Sequence, residues 1–139
     1  ILQDAGKVIN PVLELGQIEG GFVQGQGWLT MEEVNWKPNG KITTVSPSTY
    51  KIPAVSDMPK KFNVEIFKKG KNKENVVNKA KTTGEPPLML AMSVFYAIKD
   101  AVASVGKYKK IPMLDAPATP EKILLSINEL KYRTNYSKH

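Results

Sequence analysis

Apolar residues at Val12, Leu15, Ile18 and Phe22, with Leu13 beside them, follow the three-and-four spacing of one helix face. Asn10-Pro11 stands in front of them. An amide side chain able to cap is followed by a proline suited to the first helical position, so a helix is predicted to begin at Pro11. Pro38-Asn39-Gly40 reads as a hairpin turn, and Lys41 to Val45 as a strand of branched residues after it. Phe62 to Phe67 alternates apolar and polar side chains, the period of a half-buried strand. Leu88, Ala91, Met92, Phe95, Ile98, Val102 and Val105 then recur at helical spacing, apolar nearly all round in the first half. That pattern predicts a single deeply buried helix, stopped by Gly106. Thr119-Pro120 opens a last helix whose buried stripe is Ile123, Leu124, Ile127 and Leu130. Ser46 to Pro53 and Lys68 to Asn78 read as loops, and residues 133–139 as a disordered tail. The fold class expected is α+β, one domain with helices packed in two layers on a small mixed sheet.

Composition narrows the function more by exclusion than by pointing. A chain of 139 residues with 41% apolar content can bury one real core. No apolar run reads as long enough to cross a bilayer, and the expectation is a cytoplasmic protein with no membrane contact. Without cysteine there is no disulfide framework and no thiolate metal site. The net charge of +7 comes mostly from lysines, at 60–61, 68–73 and 107–110. The one arginine is Arg133, and no aromatic side chains interleave with the 68–73 run. A solvated lysine surface is therefore expected rather than a nucleic-acid partner, and a non-catalytic basic interaction module is the alternative it leaves open. The one histidine, His139, is terminal and suggests no metal ligand set. The opening Ile1-Leu2-Gln3-Asp4-Ala5-Gly6 lacks an initiator methionine and reads as the middle of a longer polypeptide.

Two stretches carry candidate chemistry. Leu15 to Gly27 holds five glycines inside a predicted helix, each costing about 0.8–1.0 kcal/mol relative to alanine. Either they allow close packing against another element, or they clear space for a bulky ligand. In the second case Gln17 and Gln24, two turns apart, would offer amide donors and acceptors to a heteroaromatic ring or oxo group. The spacing matches neither a dinucleotide fingerprint nor a P-loop. Glu32-Glu33 are adjacent and so cannot face one another as an acid–base dyad. The other stretch is Lys81-Thr82-Thr83-Gly84-Glu85-Pro86-Pro87-Leu88. The prolines place Glu85 in extended backbone at the mouth of a helix, where the dipole favours a carboxylate by roughly 0.3–1 kcal/mol. Gly84 would let a ligand approach the backbone. Glu85 is a candidate general base, although acidic residues also sit at helix starts as plain stabilisers.

Four runs together resemble a known family: Gly16 to Gly25, Pro47 to Pro53, Lys81 to Pro87, and Leu114 to Glu121. Their order and spacing are similar to the C-terminal part of the molybdenum-binding subunit in the xanthine dehydrogenase family of molybdenum hydroxylases, in the bacterial form where that subunit is a separate chain. The resemblance covers nearly the whole chain. It implies that residues 1–139 are a C-terminal fragment of a larger molybdopterin-binding domain. It implies an oxidoreductase of purine catabolism that oxidises hypoxanthine and xanthine to urate, with Glu85 as the general base activating the molybdenum-bound hydroxyl. Lys81 and the helix end would keep that base ionised. Gln17 is carried over as a cofactor contact.

The same resemblance implies a molybdenum–molybdopterin cofactor partly bound by this chain, with FAD and iron–sulfur clusters in other parts of the enzyme. The implied partners are the remainder of the molybdenum-binding subunit, an FAD/iron–sulfur subunit, the purine substrate and NAD. An isolated fragment would be inactive. An aldehyde oxidase of the same family shares the glutamate and is the nearest alternative. This chain departs from the family at Thr82-Thr83, where Ala-Val is usual, which bears on pocket polarity and substrate preference.

Overall fold

The computed structural model describes residues 1–132, so the expected disordered tail, Arg133 and His139 lie outside the described residues. Helices and a small two-stranded parallel sheet make the chain α+β, as expected. Contacts divide it into two compact units, one of Ile1–Gln26 with Pro53–Ala91, the other of Gly27–Ile52 with the chain from Met92 onward.

In the first unit the amino-terminal segment supplies β1 (Leu2–Gln3), which pairs in parallel with β2 (Glu65–Ile66). The bonds Glu65 N–H to Ile1 O and Phe67 N–H to Gln3 O, 2.9 and 2.8 Å, flank this pair. The strand predicted over residues 62–67 is thus only two residues of ladder. Helix α1 (Pro11–Thr30) starts where Asn10-Pro11 predicted. Asn10 Oδ1 accepts the backbone N–H groups of Val12 and Leu13 at 3.1 and 3.3 Å, satisfying two of the donors a helix start leaves unpaired. Ile18 and Phe22 are buried, and the Phe22 ring lies 5.2 Å from that of Phe62. The predicted apolar face fails in its first turn: Val12 and Leu13 are exposed, and burial on α1 begins at Ile18. Pro87 and Ala91 complete the buried set together with Ala5.

Helix α2 (Pro86–Leu90) ends after five residues, where a single helix through residue 105 was expected. At Ala91 ψ opens to −13°, and its N–H bonds to Leu88 O at 3.2 Å, the tighter i to i−3 pattern. A Cβ built on Gly25 would lie 2.8 Å from Ala91 Cβ, so this turn is pressed onto α1.

In the second unit, Pro38-Asn39-Gly40 makes its hairpin, with Gly40 at φ +81° and Thr43 N–H bonded to Asn35 O at 2.8 Å. The following strand amounts to one antiparallel bridge, Trp36 to Ile42. Helix α3 (Met92–Val105) packs on α4 (Pro120–Tyr132) through Val102, Leu114, Ala118 and Leu130, with Phe95, Ile98, Ile123 and Ile127 around them. The deep burial predicted for residues 88–105 does not occur: Met89 on α2 is exposed, and so are Met92 and Tyr96 on α3, whose packing with α4 runs through Val102, Phe95 and Ile98. Residues 86–105 are, by length and composition alone, long and apolar enough to span a bilayer, contrary to expectation. Lys99 and Asp100 interrupt the run, and the chain breaks at Ala91.

Gly106 follows α3 as predicted, but the left-handed residues are Lys107 and Tyr108, at φ +52° and +57°. The bond from Tyr108 N–H back to Ala103 O makes Lys107, not the glycine, the residue that closes the helix. Thr119 caps α4 through its hydroxyl, 3.4 Å from Lys122 N. Its buried stripe is Ile123, Ser126, Ile127 and Leu130, while the predicted Leu124 is exposed. Positions three, four and seven after Ile123 share its face, and Leu124 lies off it.

Candidate functional site

The candidate site forms where residues 79–91 fold against α1. Gly21 and Gly25 are buried on the inner side of that helix. A Cβ on Gly21 would be driven into the carbonyl of Gly84, and one on Gly25 into the carbonyl of Leu88. Gly16 and Gly20 behave differently, with nothing within 4 Å of a Cβ built on either. The glycine run is therefore not uniform. Gly21 and Gly25 permit close packing, and Gly16 and Gly20 leave an exposed strip of helix without side chains.

Gln17 packs against Gly84, the residue before Glu85. A Cβ on Gly84 would stand 2.8 Å from Gln17 Oε1, so the Gln17 amide lies on the Gly84 backbone, one residue from Glu85. Gln17 and Glu85 are both exposed, Thr82 is exposed, and Thr83 is buried. Gln24 is exposed as well, farther along α1. Glu85 stands at the N-cap of α2, and its carboxylate makes no capping hydrogen bond to that helix.

Two expectations about Glu85 are corrected. Its backbone is helical, φ −91° and ψ −44°, rather than extended. Leu88 N–H binds Glu85 O at 3.1 Å, and this bond with the burial of Pro87 outweighs the bias a following proline imposes. Nor is Lys81 available to Glu85: its Nζ is engaged by Asp4 Oδ2 at 2.5 Å. Asp4 also accepts Gly6 N–H at 2.9 Å. The Lys81 ammonium first, then that backbone bond, hold the Asp4 carboxyl below its ordinary range. Sequence reasoning passed over Asp4; the signal was the Asp-x-Gly pattern of an Asx turn, here with Gly6 at φ +65°.

In the second unit Glu32, buried, accepts a hydrogen bond from the Tyr50 hydroxyl, and Glu33 lies 4.0 Å from Lys122 Nζ. The hydrogen bond to Glu32 raises the Tyr50 phenol above its ordinary value. The two glutamates are thus committed separately, as adjacency required.

Among the described residues no group of three or more His, Asp or Glu side chains is gathered to hold a metal. Gln17 thus presents an exposed amide, able both to donate and to accept hydrogen bonds, beside a strip of α1 bare of side chains.

A family model described as molybdopterin cofactor-binding domain matches residues 1–59, which include Gln17. The xanthine dehydrogenase/oxidase of Felis catus is 46% identical over 129 residues, covering 88% of this chain and 10% of the feline protein. The chain belongs to the molybdenum hydroxylase family. Aldehyde oxidase 1 of Bos taurus is 39% identical over 132 residues, covering 93% of this chain and 10% of that protein. The crystal structure of quinoline 2-oxidoreductase from Pseudomonas putida 86 superimposes with a TM-score of 0.75 at 31% identity, covering 92% of this chain and 16% of that one. The chain spans about one-tenth of the length of the curated relatives it matches.

Proposed function

We propose that this chain supplies the general base, Glu85, and a cofactor-facing amide, Gln17, to a purine-oxidising hydroxylase acting on hypoxanthine and xanthine. One observation carries the reading: the Gln17 amide rests on Gly84, placing it one residue from an exposed carboxylate that caps nothing. The high identity to xanthine dehydrogenases over most of the chain favours the purine substrate.

When bound, a molybdenum–pterin cofactor supplies the Lewis acidity and the two-electron acceptor that hydroxylation needs. The chain's own part is binding and proton transfer. Gln17, with an amide N–H donor and a carbonyl acceptor, would hold the heteroaromatic group, for which Gly16 and Gly20 leave space. A carboxylate oxygen of Glu85 would accept the proton of the oxygen nucleophile as its bond to the electron-poor ring carbon forms, while the C–H bond at that carbon breaks and its electron pair goes to the two-electron acceptor. General-base catalysis of this kind contributes about 10²–10⁴-fold. The iron–sulfur clusters and FAD that would carry the electrons on to NAD would be held by parts of the enzyme beyond this chain. On this reading the chain alone turns over no substrate.

Aldehyde oxidation is the second reading, favoured by the 39% identity to bovine aldehyde oxidase 1 across 93% of the chain. Both are tested by Glu85→Gln in the complete enzyme, assayed with xanthine and NAD and in parallel with an aldehyde. The expected result is loss of xanthine turnover, by roughly the 10²–10⁴-fold a general base provides, with molybdenum content unchanged. Near-normal turnover removes Glu85 from the chemistry, and an unmodified enzyme that turns over only the aldehyde selects the second reading.

A further inference from the structure

Asp4 and Lys81 are 77 residues apart in sequence and joined at 2.5 Å. Both Asp4 oxygens are used: Oδ2 takes the Lys81 ammonium, and Oδ1 takes Gly6 N–H at 2.9 Å, closing the turn that carries the acid. Backbone bonds flank the pair, from Lys81 N–H to Ala5 O at 3.0 Å and from Lys7 N–H to Lys79 O at 3.1 Å. Gly70 leaves room for the carboxylate, since a Cβ there would stand 2.8 Å from Asp4 Cγ. Ala5, between the acid and its turn, is fully buried. Lys79 to Lys81 are therefore fixed on the amino-terminal segment by main chain and by charge together.

From Lys81 only Thr82 and Thr83 intervene before Gly84, which is held against Gln17 and Gly21 of α1. Three residues span at most about 10 Å, so a shift at Lys81 has little slack in which to dissipate before Glu85. Resting on the reading of Glu85 as base, we propose that Asp4 and Lys81 are positioning residues that fix the approach of the 82–88 segment, and with it the Glu85 carboxylate. The ion pair is about one-third exposed on each side. Exposed pairs contribute little to global stability, so its effect falls on geometry rather than on folding.

The test uses the complete enzyme carrying Lys81→Met, with Asp4→Asn as a second variant that removes the charge and retains an oxygen for the Gly6 turn. Amide hydrogen exchange over residues 82–88 and the steady-state constants for xanthine are measured, with Glu85→Gln alongside. Expected are faster exchange over 82–88 and a roughly ten- to hundred-fold fall in kcat, with KM nearly unchanged, since an ångström of misplacement can cost about 10²-fold. Lys81→Arg, which keeps the charge, should recover most of kcat. Unaltered exchange overturns the proposal, as does faster exchange with full kcat in an enzyme that Glu85→Gln inactivates. If Glu85→Gln keeps full turnover, the base reading fails instead, and exchange alone decides whether the pair holds the segment.

Discussion

Gly21 and Gly84 touch through bare backbone: a methyl group on Gly21 would enter the Gly84 carbonyl oxygen and stand 3.3 Å from its carbon. Backbone cannot swing aside as a flexible side chain can. Gly21→Ala should therefore destabilise the chain, by about 1–3 kcal/mol or more if the segment cannot move. Because the atom displaced is one residue from Glu85, turnover of the complete enzyme should fall too. Chemical denaturation of the chain and kcat of the enzyme check the two halves. Unchanged stability would mean that α1 and the 84–91 segment are less closely apposed.

Gly20 gives the opposite expectation on the same helix. Nothing lies within 4 Å of its added methyl, so Gly20→Ala should stabilise the chain by about the 0.8–1.0 kcal/mol that separates glycine from alanine in a helix interior. If the bare strip receives the pterin, the same change should reduce molybdopterin content in the complete enzyme. Stability rising while cofactor content falls separates a ligand-facing glycine from a packing one. Gain in both would take Gly20 out of the cofactor contact.

These two glycines show why the site was half legible. Sequence spacing could mark five glycines in one helix as costly, but each faces a different direction, and direction depends on what packs there. The helix starts were readable because their signals are local: Asn10 and Thr119 cap as their side chains dictate. Burial was not, since it depends on partners elsewhere in the fold. Leu13, Val12 and Met89 are apolar and exposed, while polar Ser126 is 2% exposed inside α4. The same holds for charge. Lys81 could be placed near Glu85 by sequence, but only the fold brings up Asp4 to take its ammonium.

Leu130 and Leu124 should respond very differently to truncation, though periodicity alone put both in one stripe. Leu130 is 5% exposed and packs with Val102, Leu114 and Ala118, whereas Leu124 is 58% exposed. Leu130→Ala should cost about 2–5 kcal/mol through lost burial and the cavity left behind. Leu124→Ala should stay within about 0.5 kcal/mol. Denaturant midpoints of the two variants check this, and equal losses would place Leu124 in the core as well.

The Tyr50–Glu32 bond ties the loop after the hairpin to the residues just beyond α1, and its contribution should be lost in alkali. The phenol donates to a buried carboxylate, and that hydrogen bond raises the Tyr50 pKa above its ordinary 10.0. A group whose folded pKa is raised contributes fully below its unfolded pKa, and the contribution is lost as pH rises through the folded value. Wild type should therefore melt above Tyr50→Phe at neutral pH, and the gap should close only once pH climbs past 10.0. Lysines also titrate in that range, but they are common to both proteins and cancel in the difference. Tyrosinate absorbance gives the second measurement, since the phenol missing from Tyr50→Phe should be one that ionises late. A gap that stays constant through that range, or no late-ionising phenol, would mean the hydroxyl is not held by Glu32 in solution.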